Sequence, residues 1–185
     1  LALRRARLGP SALLSLKRLK NLERLTISRV PGPAANLSVL ASLPKLEHLR
    51  LRGFKALGDL RWLQRSRKLV SLQLARVRPE SINHLDLRPL KHLKWLRLSL
   101  PKTAKKPLRI RALPPQLRHF SLTRGRISNA TLASLSRLRK LESLAFSTVP
   151  LSRSQTRLLS RFPELDAIVL FHAGIDSAGL LALSR

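Results

Sequence analysis

The sequence predicts an α/β solenoid, in which short parallel strands form a concave sheet and helical or irregular segments cover its convex side. Two observations predict this fold. A motif of the form L-x-x-L-x-L occurs seven times, at intervals of 24, 23, 24, 24, 24 and 24 residues. Between the motifs, leucines recur every three residues in several segments. Units that repeat in this way bury a continuous core by stacking on their neighbours. The seven copies begin at Leu22, Leu46, Leu69, Leu93, Leu117, Leu141 and Leu165.

Each motif predicts one short strand, because its last two apolar residues are two positions apart and share one face of a pleated strand. Leu1 and Leu3 are in phase with these strands. We therefore interpret residues 1–21 as a partial copy and residues 1–185 as a single domain. The predicted strands span residues 24–27, 48–51, 71–74, 95–98, 119–122, 143–146 and 167–170.

The segments between the strands predict short helices wherever leucines are three residues apart, since this spacing places them on one helical face. Ser128 or Asn129, and Asp176 or Ser177, are candidate N-caps for two of these helices. The fourth segment, residues 99–116, has four prolines and lacks the leucine stripe. It predicts an extended or looped connection, because proline breaks helices. The leucine sets are Leu37, Leu40 and Leu43; Leu57, Leu60 and Leu63; and Leu132, Leu135 and Leu138.

The repeated motif resembles that of the leucine-rich-repeat family, and the resemblance covers essentially all 185 residues. Residues 126–132 and 174–180 resemble the helix-entry turn of the subclass found in F-box-associated and many bacterial repeats. The family usually has Asn or Cys three residues after the last strand leucine. At such places this chain has Val30, Phe54, Val77 and Val149. The turn must therefore satisfy its backbone groups in another way. The resemblance implies a binding scaffold, most often for proteins.

No catalytic, cofactor or metal motif accompanies the repeat. The chain has no cysteine, and its seven glycines form no phosphate-binding or nucleophile-elbow segment. His48 and His119 share an outward strand column but are three repeats apart, too far to share a metal ion. Glu23, Glu47 and Glu142 share another column, where carboxylates are expected to pair with arginines. No apolar run approaches the ~18 residues that a membrane span needs. We therefore expect neither an enzyme nor a cofactor.

The charge is extreme and unevenly distributed. The chain carries 37 Lys and Arg against 9 Asp and Glu, a net charge of +28. Residues 1–140 hold 33 basic and 5 acidic residues, whereas residues 141–185 hold 4 of each. The first 22 residues contain no acid and resemble an organellar transit peptide in composition, although the repeat phase favours folded sequence. We expect a mitochondrial or other organellar matrix protein, with the cytoplasm as the alternative.

Clustered cations that outnumber acids so strongly predict a polyanion partner, because phosphates attract them without needing a specific motif. The sequence therefore favours an RNA-contacting subunit of a large ribonucleoprotein, such as an organellar ribosome, with Trp95 available to stack on a base. The neutral C-terminal copies would contact other protein subunits. The alternatives are a protein–protein adaptor or assembly subunit, or a bacterial repeat effector. The candidate nucleic-acid contacts are Arg24, Arg50, Arg52, Lys94, Trp95, Arg97, Lys102, Lys105, Lys106, Arg109, Arg111 and Arg118.

Overall fold

Eight strands lie side by side in chain order and form one parallel sheet in the computed structural model of the protein. The structure describes residues 1–4, 10–28, 37–53, 60–83, 85–162, 164–175, 177 and 181. All seven predicted strands are confirmed, each beginning where the motif places it and extending one residue further. A strand is also present in the partial copy. The strands are β1 (Ala2–Arg4), β2 (Arg24–Ser28), β3 (His48–Arg52), β4 (Ser71–Ala75), β5 (Trp95–Ser99), β6 (His119–Thr123), β7 (Ser143–Ser147) and β8 (Ala167–Phe171).

The pairing register aligns the same motif position in every strand. Leu72 in β4 is paired with Leu96 in β5, which is paired in turn with Phe120 in β6. From β2 to β7 the second and fourth residues of each strand are buried, and the first, third and fifth point away from the core. The core is therefore a stack of aliphatic layers, with Phe120 and Phe146 in edge-to-face contact.

A left-handed residue follows most of the strands. The positive-φ residues that come directly after a strand are Gly53, Arg76, Arg124, Thr148 and His172. Leu100 directly follows β5 but does not have a positive φ. The reason is Pro101, since a proline restricts the residue before it to extended backbone conformations.

Main-chain bonds between successive repeats satisfy the turns that follow β3 to β7. The Val77 N–H donates to the Ser99 carbonyl at 3.0 Å, and the Arg124 N–H donates to the Ser147 carbonyl at 2.7 Å. These bonds take the place of the Asn or Cys ladder that the leucine-rich-repeat family usually has. Val30 and Phe54 lie outside the described residues.

The return segments differ from repeat to repeat. The predicted helix at Leu37–Leu43 is a 3-10 helix, Leu37–Ser42, and that around Leu60 and Leu63 is a 3-10 helix, Arg61–Arg65; Leu57 lies outside the described residues. The helix predicted around Leu132 and Leu135 is an α-helix. The α-helices are α1 (Pro10–Ser15), α2 (Pro79–Ile82), α3 (Asn129–Ser136) and α4 (Arg153–Leu159), and a further 3-10 helix spans Leu16–Arg18.

Two helices begin with serine caps. The Ser128 hydroxyl accepts a hydrogen bond from the Thr131 N–H at the start of α3, which confirms Ser128 as the cap. Ser152 caps α4 and forms a capping box with Gln155. The cap proposed at Asp176 or Ser177 stays a prediction, because Asp176 lies outside the described residues.

The fourth return segment is a loop, as its prolines predict. Leu108, Ile110 and Leu113 are buried and fill the space that a leucine stripe would occupy. The loop is bridged to its neighbours at Asp86–Ala112 and at Leu108–Ile127. Gly125 makes room for Leu100 at the start of the loop, since a β-carbon there would lie 2.6 Å from Leu100 Cδ1.

Candidate functional site

The outward-pointing first, third and fifth residues of β2 to β8 form a continuous surface, here called the open face. Its middle row contains Arg50 in β3 and Arg97 in β5, separated by Gln73 in β4. Neighbouring strands are about 4.8 Å apart, so these two arginines are about 10 Å apart along the row. Arg24 and Arg52 lie in the flanking rows. All four side chains are exposed, and they form the cationic part of the open face.

A further row precedes the strands and is strongly zoned in charge. Main-chain bonds connect its members; for example, the Glu47 N–H donates to the Glu23 carbonyl at 2.9 Å. Lys94 and Arg118 lie at the centre of this row, with acidic residues on both sides. The guanidinium of Arg118 forms an ion pair with Glu142 on the next repeat. Arg118 is therefore already engaged by a carboxylate. The row runs Glu23, Glu47, Val70, Lys94, Arg118, Glu142 and Asp166.

Trp95 and His119 stack on each other across β5 and β6. Their ring centroids are 3.5 Å apart with an interplanar angle of 20°. They line a groove of about 200 Å³ together with Gln73, Arg97 and Ser121. Trp95 remains 45% exposed, so the stack presents an aromatic surface beside a guanidinium. Such a surface suits a planar or an anionic group, which could belong to a nucleic-acid base or to a peptide with acidic and aromatic side chains.

The environment of His119 favours its neutral form. Desolvation by burial lowers the pKa of this imidazole below its ordinary 6.5, and the nearby Arg118 cation lowers it further. Glu142, whose carboxylate oxygen lies 3.7 Å from His119 Nε2, opposes this shift but does not reverse it. The stacked pair is therefore uncharged at neutral pH.

The cations of the proline-rich loop lie apart from the open face. Lys102, Lys105 and Lys106 are exposed directly after β5, and the last two line a cavity of about 340 Å³ beside Arg78 and Glu80. Arg109 is held on the return side, because its N–H donates to the Asn83 side chain at 2.9 Å. The twelve residues that the sequence nominates therefore fall into two groups, one on or beside the open face and one on the return side.

Arg109 and Arg111 line a second, larger groove of about 1110 Å³, here called the return groove. Arg126 also lines it, and its carbonyl accepts a hydrogen bond from the Leu108 N–H at 2.8 Å. Arg126 is not among the residues nominated from the sequence. Its position is the signal that could have identified it. Arg126 directly precedes Ile127, which pairs with Leu108, and Arg109 directly follows Leu108.

The last two strands differ in character from the rest of the open face. Ala145 and Val169 continue the middle row, and Phe171 ends the row that contains Arg52. Val169 is 55% exposed and Phe171 58% exposed. The open face thus carries its cations and its stacked aromatic pair between β2 and β6, is small and uncharged in β7, and is apolar in β8.

Two classes of feature are not found in the described part of the chain. No group of three or more His, Asp or Glu side chains there is arranged to hold a metal ion. Among the same residues no helix has the length and apolarity to cross a membrane.

Comparison with known proteins places the fold. No family model matches this chain, and no curated protein matches it. Among solved structures the chain is similar to the crystal structure of an internalin from Listeria monocytogenes, with a TM-score of 0.55 and 19% sequence identity. The similarity covers 92% of this chain and 48% of the internalin chain, so this chain spans about half the length of that one. At this identity the likeness establishes the fold alone.

The chain has the fold of a leucine-rich-repeat solenoid. The parallel sheet in chain order, the 24-residue layers and the short return helices agree with the likeness to a leucine-rich-repeat internalin. The F-box-associated or bacterial subclass stays a prediction.

Proposed function

We propose that this chain is a non-catalytic interaction scaffold that binds a protein partner along the open face of its sheet. The observation that carries the proposal is the continuity of two chemistries on one surface. The row that contains Arg50 and Arg97 continues through the small residues Ser121 and Ala145 to Val169. The row that contains Arg52 continues through small uncharged residues to Phe171. A protein segment with carboxylates at one end and apolar side chains at the other would use the whole surface.

The mixed signs beside the sheet also favour a protein partner. Glu23, Glu47 and Asp166 lie in the row that precedes the strands, and Glu142 there engages Arg118. Phosphates would be repelled by these carboxylates, whereas a protein surface offers cations to meet them. A solenoid is suited to this role because its strands present side chains at fixed spacing over a long surface.

A matched pair of variants tests the proposal. Immobilised protein, washed at high salt and treated with nuclease, is incubated with extract from its source cells, and the retained proteins are quantified. We expect Arg97→Glu and Phe171→Asp to lose the same partner, since one partner spans both zones. Arg139→Glu, an exposed site outside the strands, is the control with the same charge change as Arg97→Glu. Retention of every partner by Phe171→Asp would contradict the proposal.

RNA is the second candidate partner, and the net charge of +28 favours it. In this case the chain is an RNA-contacting subunit of a large ribonucleoprotein, such as an organellar ribosome, and the organellar matrix is its place. If about five phosphates are neutralised, affinity for single-stranded RNA falls with log salt at a slope of roughly −3 to −4. The absorbance ratio of purified protein, before and after a high-salt wash, shows whether it carries nucleic acid. A flat salt dependence would remove this candidate.

A further inference from the structure

The return groove combines an arginine rim with an apolar floor. Arg109, Arg111 and Arg126 are exposed, whereas Ile110, Ile127 and Leu151 are 5%, 3% and 8% exposed and form the floor. Among the described residues that line it there is no acidic and no aromatic side chain. The groove has a volume of about 1110 Å³, enough for several side chains of a partner.

Local structure fixes where the arginines point. Residues 108 to 111 alternate buried and exposed, as an extended segment does, so Arg109 and Arg111 project on the same side, about 7 Å apart along the chain. Their backbone is anchored to α3. The Ile110 N–H donates to the Thr131 hydroxyl at 3.0 Å, and that hydroxyl donates to the Leu108 carbonyl at 3.3 Å. The loop is therefore a built wall of the groove.

The positive charge of the arginine rim is not balanced by nearby carboxylates. Asp86 is bridged to Ala112, close to Arg111. Arg88 holds the Asp86 carboxylate through contacts at 2.5 and 3.0 Å and lowers its pKa, and the Arg111 cation adds to this lowering. Within the described residues, the side chains of Arg109 and Arg126 have neither an ion pair nor a hydrogen bond to another group. Cations that line one groove without counter-charges are costly unless an anion joins them.

We infer that the return groove binds an acidic segment of a protein partner, with carboxylates on Arg109, Arg111 and Arg126 and aliphatic side chains on the apolar floor. The apolar floor and the absence of an aromatic lining favour a peptide over RNA, which uses aromatic side chains to stack its bases. The groove lies on the return side, so it is a surface distinct from the open face. A scaffold with both surfaces joins two partners.

Three fluorescent probes test this inference by anisotropy: a peptide that alternates Glu and Leu, a peptide of equal length and charge that alternates Glu and Ser, and a single-stranded RNA. We expect the Glu–Leu peptide to bind most tightly at about 0.15 M salt, where long-range attraction is largely screened. Arg109→Glu combined with Arg126→Glu should weaken it by about tenfold or more. The matched control, Lys91→Glu with Arg139→Glu, makes the same change in net charge at exposed sites outside the groove and should weaken it about twofold.

A second variant separates occupancy from total charge. Ala130 is an exposed lining residue in the first turn of α3, where a carboxylate is compatible with the helix dipole. Ala130→Glu should keep the fold and weaken the Glu–Leu peptide more than the control does, although it changes the net charge less. Arg50→Glu with Arg97→Glu, on the open face, should behave as the control does. Loss of peptide binding in the groove variants but not in these open-face variants would separate the groove site from the site of the proposed function.

Several results would overturn the inference. They are equal losses in the groove and control variants, equal binding of the Glu–Ser peptide, and failure of the wild-type protein to bind the Glu–Leu peptide. RNA that binds more tightly than either peptide and loses affinity only in the groove variants would assign the groove to nucleic acid.

Discussion

Strands β5 and β8 carry apolar residues at the same two inward positions, yet they bury them to very different extents. Leu96 in β5 is 1% exposed, whereas its counterpart Ile168 in β8 is 38% exposed. β5 has a paired strand on each side, and β8 is paired with β7 alone among the described strands. An apolar period therefore specifies which face of a strand is turned inward, and a neighbouring repeat is what completes the burial. The difference also leaves β8 the most apolar exposed part of the sheet.

Truncation of the two counterpart residues to alanine tests this difference directly. Leu96→Ala should lower the free energy of unfolding by about 2–5 kcal/mol, because packed strands on both sides restrict collapse around the cavity. Ile168→Ala should lower it by about 1 kcal/mol, since its side chain is already partly in water. Urea unfolding followed by circular dichroism measures both. Equal losses would show that β8 is as well packed as β5.

Most of the strand architecture was predictable from the sequence, because register in a stacked repeat follows from the period alone. The return segments were harder to predict. Leucines three residues apart fit a 3-10 helix at 37–42 and 61–65 and an α-helix at 129–136, so the spacing does not separate the two. The Ser128 cap and the greater length distinguish the α-helix.

The site was predictable in composition more than in arrangement. The exposed arginines of the open face are where the sequence places them. The contacts between polar and aromatic side chains depend in addition on which residues lie next to each other on adjacent repeats. Several stacked pairs are 24 residues apart: Trp95 with His119, Arg118 with Glu142, Lys45 with Asn21, and Lys140 with Gln116. The repeat period thus predicts contacts as the i,i+4 rule does in helices. The return groove escapes this rule, because it depends on the irregular loop.

Two buried threonines differ in where their hydroxyls bond: one bonds across repeats and the other within its own repeat. Thr131 bonds Leu108 and Ile110 of the preceding return segment, whereas the Thr156 hydroxyl donates to Ser152 of its own helix at 3.2 Å. Thr131→Val should destabilise by about 1–3 kcal/mol, since it leaves the buried Ile110 N–H without an acceptor. Thr156→Val should cost about 0.5 kcal/mol or less, because its bond competes with the helix. Thermal unfolding of both variants measures this; a larger loss for Thr156→Val would contradict the account.

The smallest expected effect concerns His119, whose counterparts in β7 and β8 are Ser143 and Ala167. Burial lowers the pKa of His119 below its ordinary 6.5. Between these values the unfolded chain binds more protons than the folded one, so the free energy of unfolding should decrease as pH falls from 6.5 towards the folded-state pKa. His119→Gln should remove this part of the pH dependence, as measured by urea unfolding between about pH 7.5 and 5.5.

Glu142 raises the pKa of His119, so Glu142→Gln should move the imidazole midpoint, followed by NMR, to still lower pH. A midpoint that rises in Glu142→Gln would show that the Glu142 carboxylate does not stabilise the charged imidazole. An unchanged pH dependence in His119→Gln would show that the stacked pair in the central strands is not desolvated.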